Sequence, residues 1–278
     1  AIWYSFVDQQ GGLWLALNDG LARIEIPSSL TYFDDKAGLD GKVQDIKRFN
    51  GTLYFATSPS GVYCLQNDGP GTMGVESEKQ LVKINGIETQ CWSLLPFRDR
   101  LLVAANSGLH EIRGAKSKLV LKTERGVFEP SVLAEFKQDE NYVLAGLYDG
   151  FTILKEQNGR WLDLGKIKGL SGEVRTIVEL DNGEVWLGTR SGNVHRLLLA
   201  HSDLTNFSES SFETFDATDG LPPGQIQVFP LNNRVAFTTE SKGLYYFEED
   251  SQRFLPDTSL GKQFTNGSID VELIAQDS

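Results

Sequence analysis

The residues that could do chemistry in this 278-residue chain are few. There are 3 histidines and 2 cysteines, set against 38 acidic side chains. His110, His195 and His201 lack the H-x-H or H-E-x-x-H spacing that would put two imidazoles on one zinc ion. His110 and His195 fall near the starts of strands in separate repeats, so a shared metal is not expected. Adjacent carboxylates occur at Asp34–Asp35, Asp139–Glu140 and Glu248–Glu249–Asp250. Glycoside hydrolysis needs two carboxyls converging across a cleft at roughly 5–10 Å, one with a raised pKa. These pairs read instead as solvated acids in connections, although a pair formed across a central channel stays open. Residues 69–74, "GPGTMG", match G-x-G-x-x-G. A dinucleotide site needs a helix to follow, with its amides facing the pyrophosphate. Here "VESEKQLVKIN" leads into a strand and Pro70 removes one amide donor. No G-x-S-x-G elbow is present. No catalytic residue, metal or cofactor is expected.

The net charge is −12, from 38 acidic against 26 basic residues. "KIKG" and "KSKLVLK" are the densest basic stretches, too thin for a phosphate-neutralising surface, so nucleic acid is not an expected partner. No apolar run approaches the roughly 18 residues of a membrane span. Cys64 and Cys91 sit in apolar strands of neighbouring repeats, where free buried thiols acting as small hydrophobes are the plain reading and a disulfide the alternative. Asn50, Asn206 and Asn266 open sequons, and Asn50-Gly51 reads better as a hairpin turn.

Any site must be positioned by the repeats that organise the whole chain. Gly20, Gly61, Gly108, Gly150, Gly192 and Gly243 each end a similar phrase, at intervals of 41 to 51 residues. A second series, Gly38, Gly86, Gly126, Gly169, Gly220 and Gly267, runs in phase with the first at intervals of 40 to 51. A period of roughly 40–50 residues points to a solenoid or a propeller. Residues 173–215 decide between them. "VRTIVELD" is an alternating, β-branched strand; "NG" turns it; "EVWLGT" is a second strand; "RSGN" turns again; "VHRLLL" and "FETF" follow. No apolar stripe at helical spacing persists, and prolines interrupt "SLLPFRDR" and "GLPPGQ". Four short antiparallel strands per unit make a β-propeller blade.

The phrase D-x-x-G-x-L/V-W-L-G/A-T-x-x-G-L, clearest at 8–24 and 181–197, resembles the two-component regulator propeller repeat. It matches moderately at 47–65 and 227–247; at 91–112 and 132–154 the strands and glycine persist without the Trp. The resemblance implies an all-β propeller of four-stranded antiparallel blades. Their bounds would be about 1–41, 42–88, 89–129, 130–172, 173–224 and 225–268, with 269–278 the first strand of a seventh. The start at "AIWYSFV" and the end at "VELIAQDS" look like cuts in a longer polypeptide, with no signal peptide. "IDVELIAQ", 269–276, is expected as an ordered strand. Trp14, Tyr54 and Trp186 should occupy one equivalent, buried position in their second strands.

In a four-strand meander the turns between strands two and three share a face with the inter-blade linkers. That face carries Asn18 and Asp19, Asn106, Tyr148 and Asp149, Arg190 and Lys242, positions that vary between repeats while the glycines stay. They are the candidate ligand-binding residues. The resemblance further implies a non-catalytic sensor in the periplasmic or extracellular part of a membrane-anchored bacterial signalling protein. Its ligand would be a small molecule, a carbohydrate by the resemblance alone. Its other partners would be the remaining propeller and linker domains, or a second copy in a homodimer. The competing readings are a propeller lyase or hydrolase with a site at the channel mouth, and a protein-interaction scaffold.

Overall fold

The structure, a computed structural model, describes residues 2–7, 12–17, 20–25, 38–67, 79–199, 204–232, 234–239 and 243–265. The chain divides into two compact units, Ala1–Leu39 and Asp40–Ser278. The first contains one antiparallel sheet of β1 (Ile2–Val7), β2 (Gly12–Leu17) and β3 (Gly20–Glu25). The strand expected to complete this blade lies outside the described residues, as does 269–276.

The second unit contains five four-stranded antiparallel sheets, each from consecutive strands. The first is β4 (Lys42–Phe49), β5 (Thr52–Ser58), β6 (Gly61–Asn67) and β7 (Lys79–Lys83). The second is β8 (Cys91–Phe97), β9 (Arg100–Ala105), β10 (Gly108–Arg113) and β11 (Lys116–Lys122). The third is β12 (Pro130–Glu135), β13 (Tyr142–Leu147), β14 (Gly150–Gln157) and β15 (Arg160–Asp163). The fourth is β16 (Val174–Glu179), β17 (Glu184–Thr189), β18 (Val194–Leu198) and β19 (Glu213–Phe215). The fifth is β20 (Ile226–Leu231), β21 (Arg234–Thr239), β22 (Gly243–Glu248) and β23 (Arg253–Pro256). The first strands lie side by side: β4 on β8, β8 on β12, β12 on β16 and β16 on β20. This is the arrangement of propeller blades around their innermost strands. The described helices are short 3-10 turns, the longest Leu204–Glu209.

Local chemistry explains the turns. Asn50 (φ 47°) and Gly51 (φ 79°) join Phe49 to Thr52 as a two-residue loop with both φ positive, the geometry that asparagine and glycine adopt at least cost. Asn182-Gly183 differs from the expected two-residue turn. Leu180 N bonds Glu184 O at 2.8 Å, so the loop is 181–183, closed by Gly183 at φ 82°. Gly61 has φ 96°, and a Cβ there would lie 2.2 Å from the Ile87 carbonyl oxygen, so the linker to the next blade passes where a side chain would stand.

Four of the five innermost strands of this unit share one irregularity, while β20 pairs with β21 without a slip. The pairing of β4, β8, β12 and β16 slips by one residue at Gln44, Trp92, Ser131 and Arg175, each left without a partner on the second strand. The next residue pairs with a small one: Asp45 with Ala56, Ser93 with Ala104, Val132 with Gly146, Thr176 with Gly188. The space is needed by the next blade. A Cβ on Gly188 would lie 2.6 Å from the Ile226 carbonyl oxygen, and one on Gly146 would lie 2.7 Å from Val174 Cγ1. This is the physical content of the G/A position in the repeat.

Between blades the apolar second and third strands form the core. Tyr54 and Trp186, third in β5 and β17, are 7% and 2% exposed, the equivalent buried position expected of them. Trp14 is third in β2. Cys64 and Cys91 are both free and buried in one cluster. No helix among the described residues is long and apolar enough to cross a membrane.

Candidate functional site

The bulges bring side chains to the space enclosed by the five innermost strands. A cavity of about 730 Å³ lies there, lined among others by Gln44, Trp92, Ser131 and Arg175. Trp92 is the pivot. Its indole N–H donates to Asn106 Oδ1 at 2.7 Å, Asn106 Nδ2 donates to Gln90 Oε1 at 2.7 Å, and Gln90 Nε2 donates to Ser58 Oγ at 2.8 Å. The Tyr148 ring meets the indole edge-on at 6.0 Å between centroids, and the Arg175 guanidinium carbon lies 5.4 Å from the indole centroid. Tyr148 and Asn106 also line a smaller adjoining cavity of about 230 Å³ with Glu129 and Pro130.

The backbone holds these turns to the linkers. Asn106 N donates to Gln90 O at 3.0 Å, Tyr148 N to Glu129 O at 2.9 Å, and Arg190 N to Glu173 O at 2.9 Å. In these three blades the second turn is therefore bonded to the linker that enters it, and the two share a face, as the meander requires. Partial burial raises the Tyr148 pKa, and the neighbouring Glu173 carboxylate adds to the shift.

Of the candidate residues, Asn106 and Tyr148 meet at this rim. Arg190 reaches Glu173 Oε2 at 3.3 Å, and Glu173 Oε1 lies 3.2 Å from Arg175 Nε, so Arg190 adjoins the rim through Glu173. Asp149 is committed to its own blade: Oδ1 accepts Gly172 N at 3.1 Å and Oδ2 faces Lys166 Nζ at 3.5 Å. Asn18, Asp19 and Lys242 lie outside the described residues. Trp92 and Arg175 were not anticipated from sequence. The available signal was the position of each just inside a first strand, at the slip found in four of the five blades of this unit.

The acid and base candidates are engaged in structure. His110 and His195 are 4% and 3% exposed, and burial lowers both pKa values. His110 bonds Ser107 and Ser117 at 2.7 and 3.0 Å; His195 bonds Thr214 at 2.9 Å and the Ser171 carbonyl oxygen at 3.2 Å. Asp139 Oδ1 caps its own turn, accepting from Asn141 N and Nδ2 at 2.9 and 2.7 Å. Glu249 pairs with Arg196 at 2.9 Å. The buried Glu179 accepts Lys137 N at 2.7 Å and ties two blades, its pKa raised by burial. Among the described residues no group of three His, Cys, Asp or Glu is placed to hold a metal ion.

No family model matches the chain, and no curated protein does. Solved structures do. The chain is similar to the extracellular domain of the BT4673 one-component or hybrid two-component system of B. thetaiotaomicron, with 16% identity and a TM-score of 0.56. The match covers 96% of this chain and 34% of that one, so the chain spans about a third of that ectodomain. It is similar to virginiamycin B lyase from Staphylococcus aureus, solved with quinupristin as a variant made inactive by replacing one histidine (10% identity, TM-score 0.56, 90% of this chain and 82% of that one). It is also similar to the WD40 β-propeller domain of Doa1 (13% identity, TM-score 0.53, 90% and 76%). At these identities the likeness concerns the fold, which is that of β-propellers.

Proposed function

We propose that the chain is a non-catalytic ligand-recognition propeller, the extracytoplasmic sensing part of a bacterial signalling protein. It would comprise six blades and the opening strand of a seventh, continuing into the parent protein's other propeller and linker domains. The observation that carries the reading is the Trp92–Tyr148 aromatic corner with Arg175 and Asn106 at the mouth of the inner cavity. Such a corner offers a flat apolar face ringed by fixed donors and acceptors, which suits a small ring-bearing molecule. The resemblance of the repeats to sensor propellers and the likeness to the BT4673 ectodomain point the same way. A carbohydrate is the ligand that the repeat resemblance suggests. The two described histidines, His110 and His195, are sealed between strands, which does not favour a lyase that uses either of them as its base.

The test is ligand binding followed by tryptophan fluorescence and calorimetry over a panel of mono- and oligosaccharides. Binding that falls at least about tenfold in Trp92→Ala, roughly 1.4 kcal/mol, supports the site. Turnover of a polysaccharide or streptogramin substrate would overturn the non-catalytic reading. Binding unaffected by Trp92→Ala would place recognition elsewhere.

A further inference from the structure

We infer that the inner cavity takes a small organic anion, a carboxylate carried on a ring that has an apolar face. This rests on the recognition reading above and narrows its ligand.

The polar side chains of the cavity divide into those used by the fold and those left over. Asp45 is used: Oδ2 accepts Leu94 N at 2.7 Å and Oδ1 accepts Ile46 N at 2.8 Å. Ser93 Oγ accepts Leu133 N at 3.2 Å, Thr176 Oγ1 accepts Val228 N at 2.8 Å, and Ser131 Oγ donates to Val174 O at 2.6 Å. The hydroxyls and the single lining carboxylate thus hold the blades together. The others are Lys42, Lys47 and Arg175, with the amides of Gln44, Gln225 and Gln227. Lys47 stays loosely paired with Asp45 at 3.8 Å. Arg175 Nε lies 3.2 Å from Glu173 Oε1 as an ion pair without a hydrogen bond, and no hydrogen bond of its two terminal nitrogens is found among the described residues.

The sign of this remainder runs against the chain. With a net charge of −12 and more acids than bases, a cavity wall drawn at random would be acidic. Here three cations line it against one committed carboxylate. A guanidinium with two free parallel N–H groups matches a carboxylate in two-point geometry. Its position over the Trp92 ring sets the anion beside an aromatic surface, so a ring bearing the carboxylate would lie along the indole while the lysines add attraction. Both acidic sugars and aromatic acids have this chemistry.

The experiment titrates the full chain with galacturonate and 4-hydroxybenzoate, with their neutral counterparts galactose and 4-hydroxybenzyl alcohol, and with sulfate. At least one acid should bind about tenfold or more tightly than its neutral counterpart, and the arm that binds identifies the source. That binding should weaken as NaCl rises from about 0.05 to about 0.5 M, because the Debye length shortens severalfold. Lys42→Gln and Arg175→Gln should each weaken it about threefold or more; Lys42 is exposed, so its variant does not endanger the fold. Equal binding of an acid and its neutral counterpart overturns the anion inference, as does affinity unchanged in both variants, or no acid bound up to about 10 mM. Sulfate binding as tightly as the acids overturns the ring. Acid binding that depends on Lys42 but is unchanged in Trp92→Ala sinks the rim reading and the placing of the ring on the indole, and leaves standing only that the cavity takes an anion.

Discussion

Arg196 and Trp186 are directly opposed across β17 and β18, and the guanidinium carbon of Arg196 lies 5.2 Å from the Trp186 ring centroid. The same guanidinium lies 5.5 Å from Phe215 and 4.9 Å from Phe247. Burial opposes its charge, but hydrogen bonds to the Glu213 and Glu249 carboxylates outweigh that, and its pKa is raised. Glu213 and Glu249 are more than half exposed, so most of the stabilisation should come from the three rings. Arg196→Ala should cost about 2–4 kcal/mol in urea unfolding, and Arg196→Lys about 1–2 kcal/mol, because an ammonium cannot stack flat on three rings. A loss matched by Glu213→Gln plus Glu249→Gln alone would assign the effect to the ion pairs.

Cys91 is fully buried and its thiol is pushed up to about 12 by burial; Cys64 is raised by burial as well. Thiolate is the reactive species, so both should resist alkylation in the native chain near pH 8. Mass spectrometry after iodoacetamide should show no adduct until denaturant is added, then two.

The strands were legible because each repeat carries its own punctuation. Glycine at positive φ and asparagine-glycine turns mark the ends, and the apolar alternation between them has one solution. Asn106 and Tyr148 were legible from their place in the second turn. Trp92 and Arg175 were not, because they lie inside first strands, where alternation treats a large side chain as one more inward or outward position. Only the one-residue slip sets them apart, and a bulge leaves no composition signature. Asp149 shows the opposite limit: a turn carboxylate looks the same in sequence whether it awaits a ligand or, as here, accepts the Gly172 amide.

His110 and His195 should make the chain less stable in mild acid. Burial lowers both folded-state pKa values, so on falling below about pH 6.5 the unfolded chain takes up protons that the native chain refuses. Stability is then lost as pH falls, at no more than about 1.4 kcal/mol per pH unit for each histidine. Glu179, raised by burial, works the other way, so the comparison must be between variants. Urea midpoints from about pH 7.5 to about pH 5 should drop more steeply in the parent chain than in His195→Gln or His110→Gln. Parallel curves would show that neither histidine is sealed.

The innermost strands are joined by a series with one member missing. Asp45 accepts Leu94 N, Ser93 accepts Leu133 N and Thr176 accepts Val228 N, each acceptor standing one residue after the slip of its strand. Val132 holds that place in β12 and offers no acceptor. Removing an acceptor leaves a partly buried amide unmatched, so Ser93→Ala and Thr176→Val should each cost about 1–2 kcal/mol. Asp45→Asn, which keeps a carbonyl oxygen in reach, should cost less than Asp45→Ala. The stronger test adds the missing member. Val132→Thr preserves shape and places a hydroxyl where Ser93 and Thr176 have theirs, at a half-buried site. A buried Val→Thr change ordinarily destabilises because the hydroxyl loses water. Here the hydroxyl should meet the neighbouring strand, and the variant should be neutral or gain up to about 1 kcal/mol. A loss beyond about 1 kcal/mol would mean that the three bonds are incidental, and that the small residue opposite each slip, Gly146 in this blade, is what seats one blade on the next.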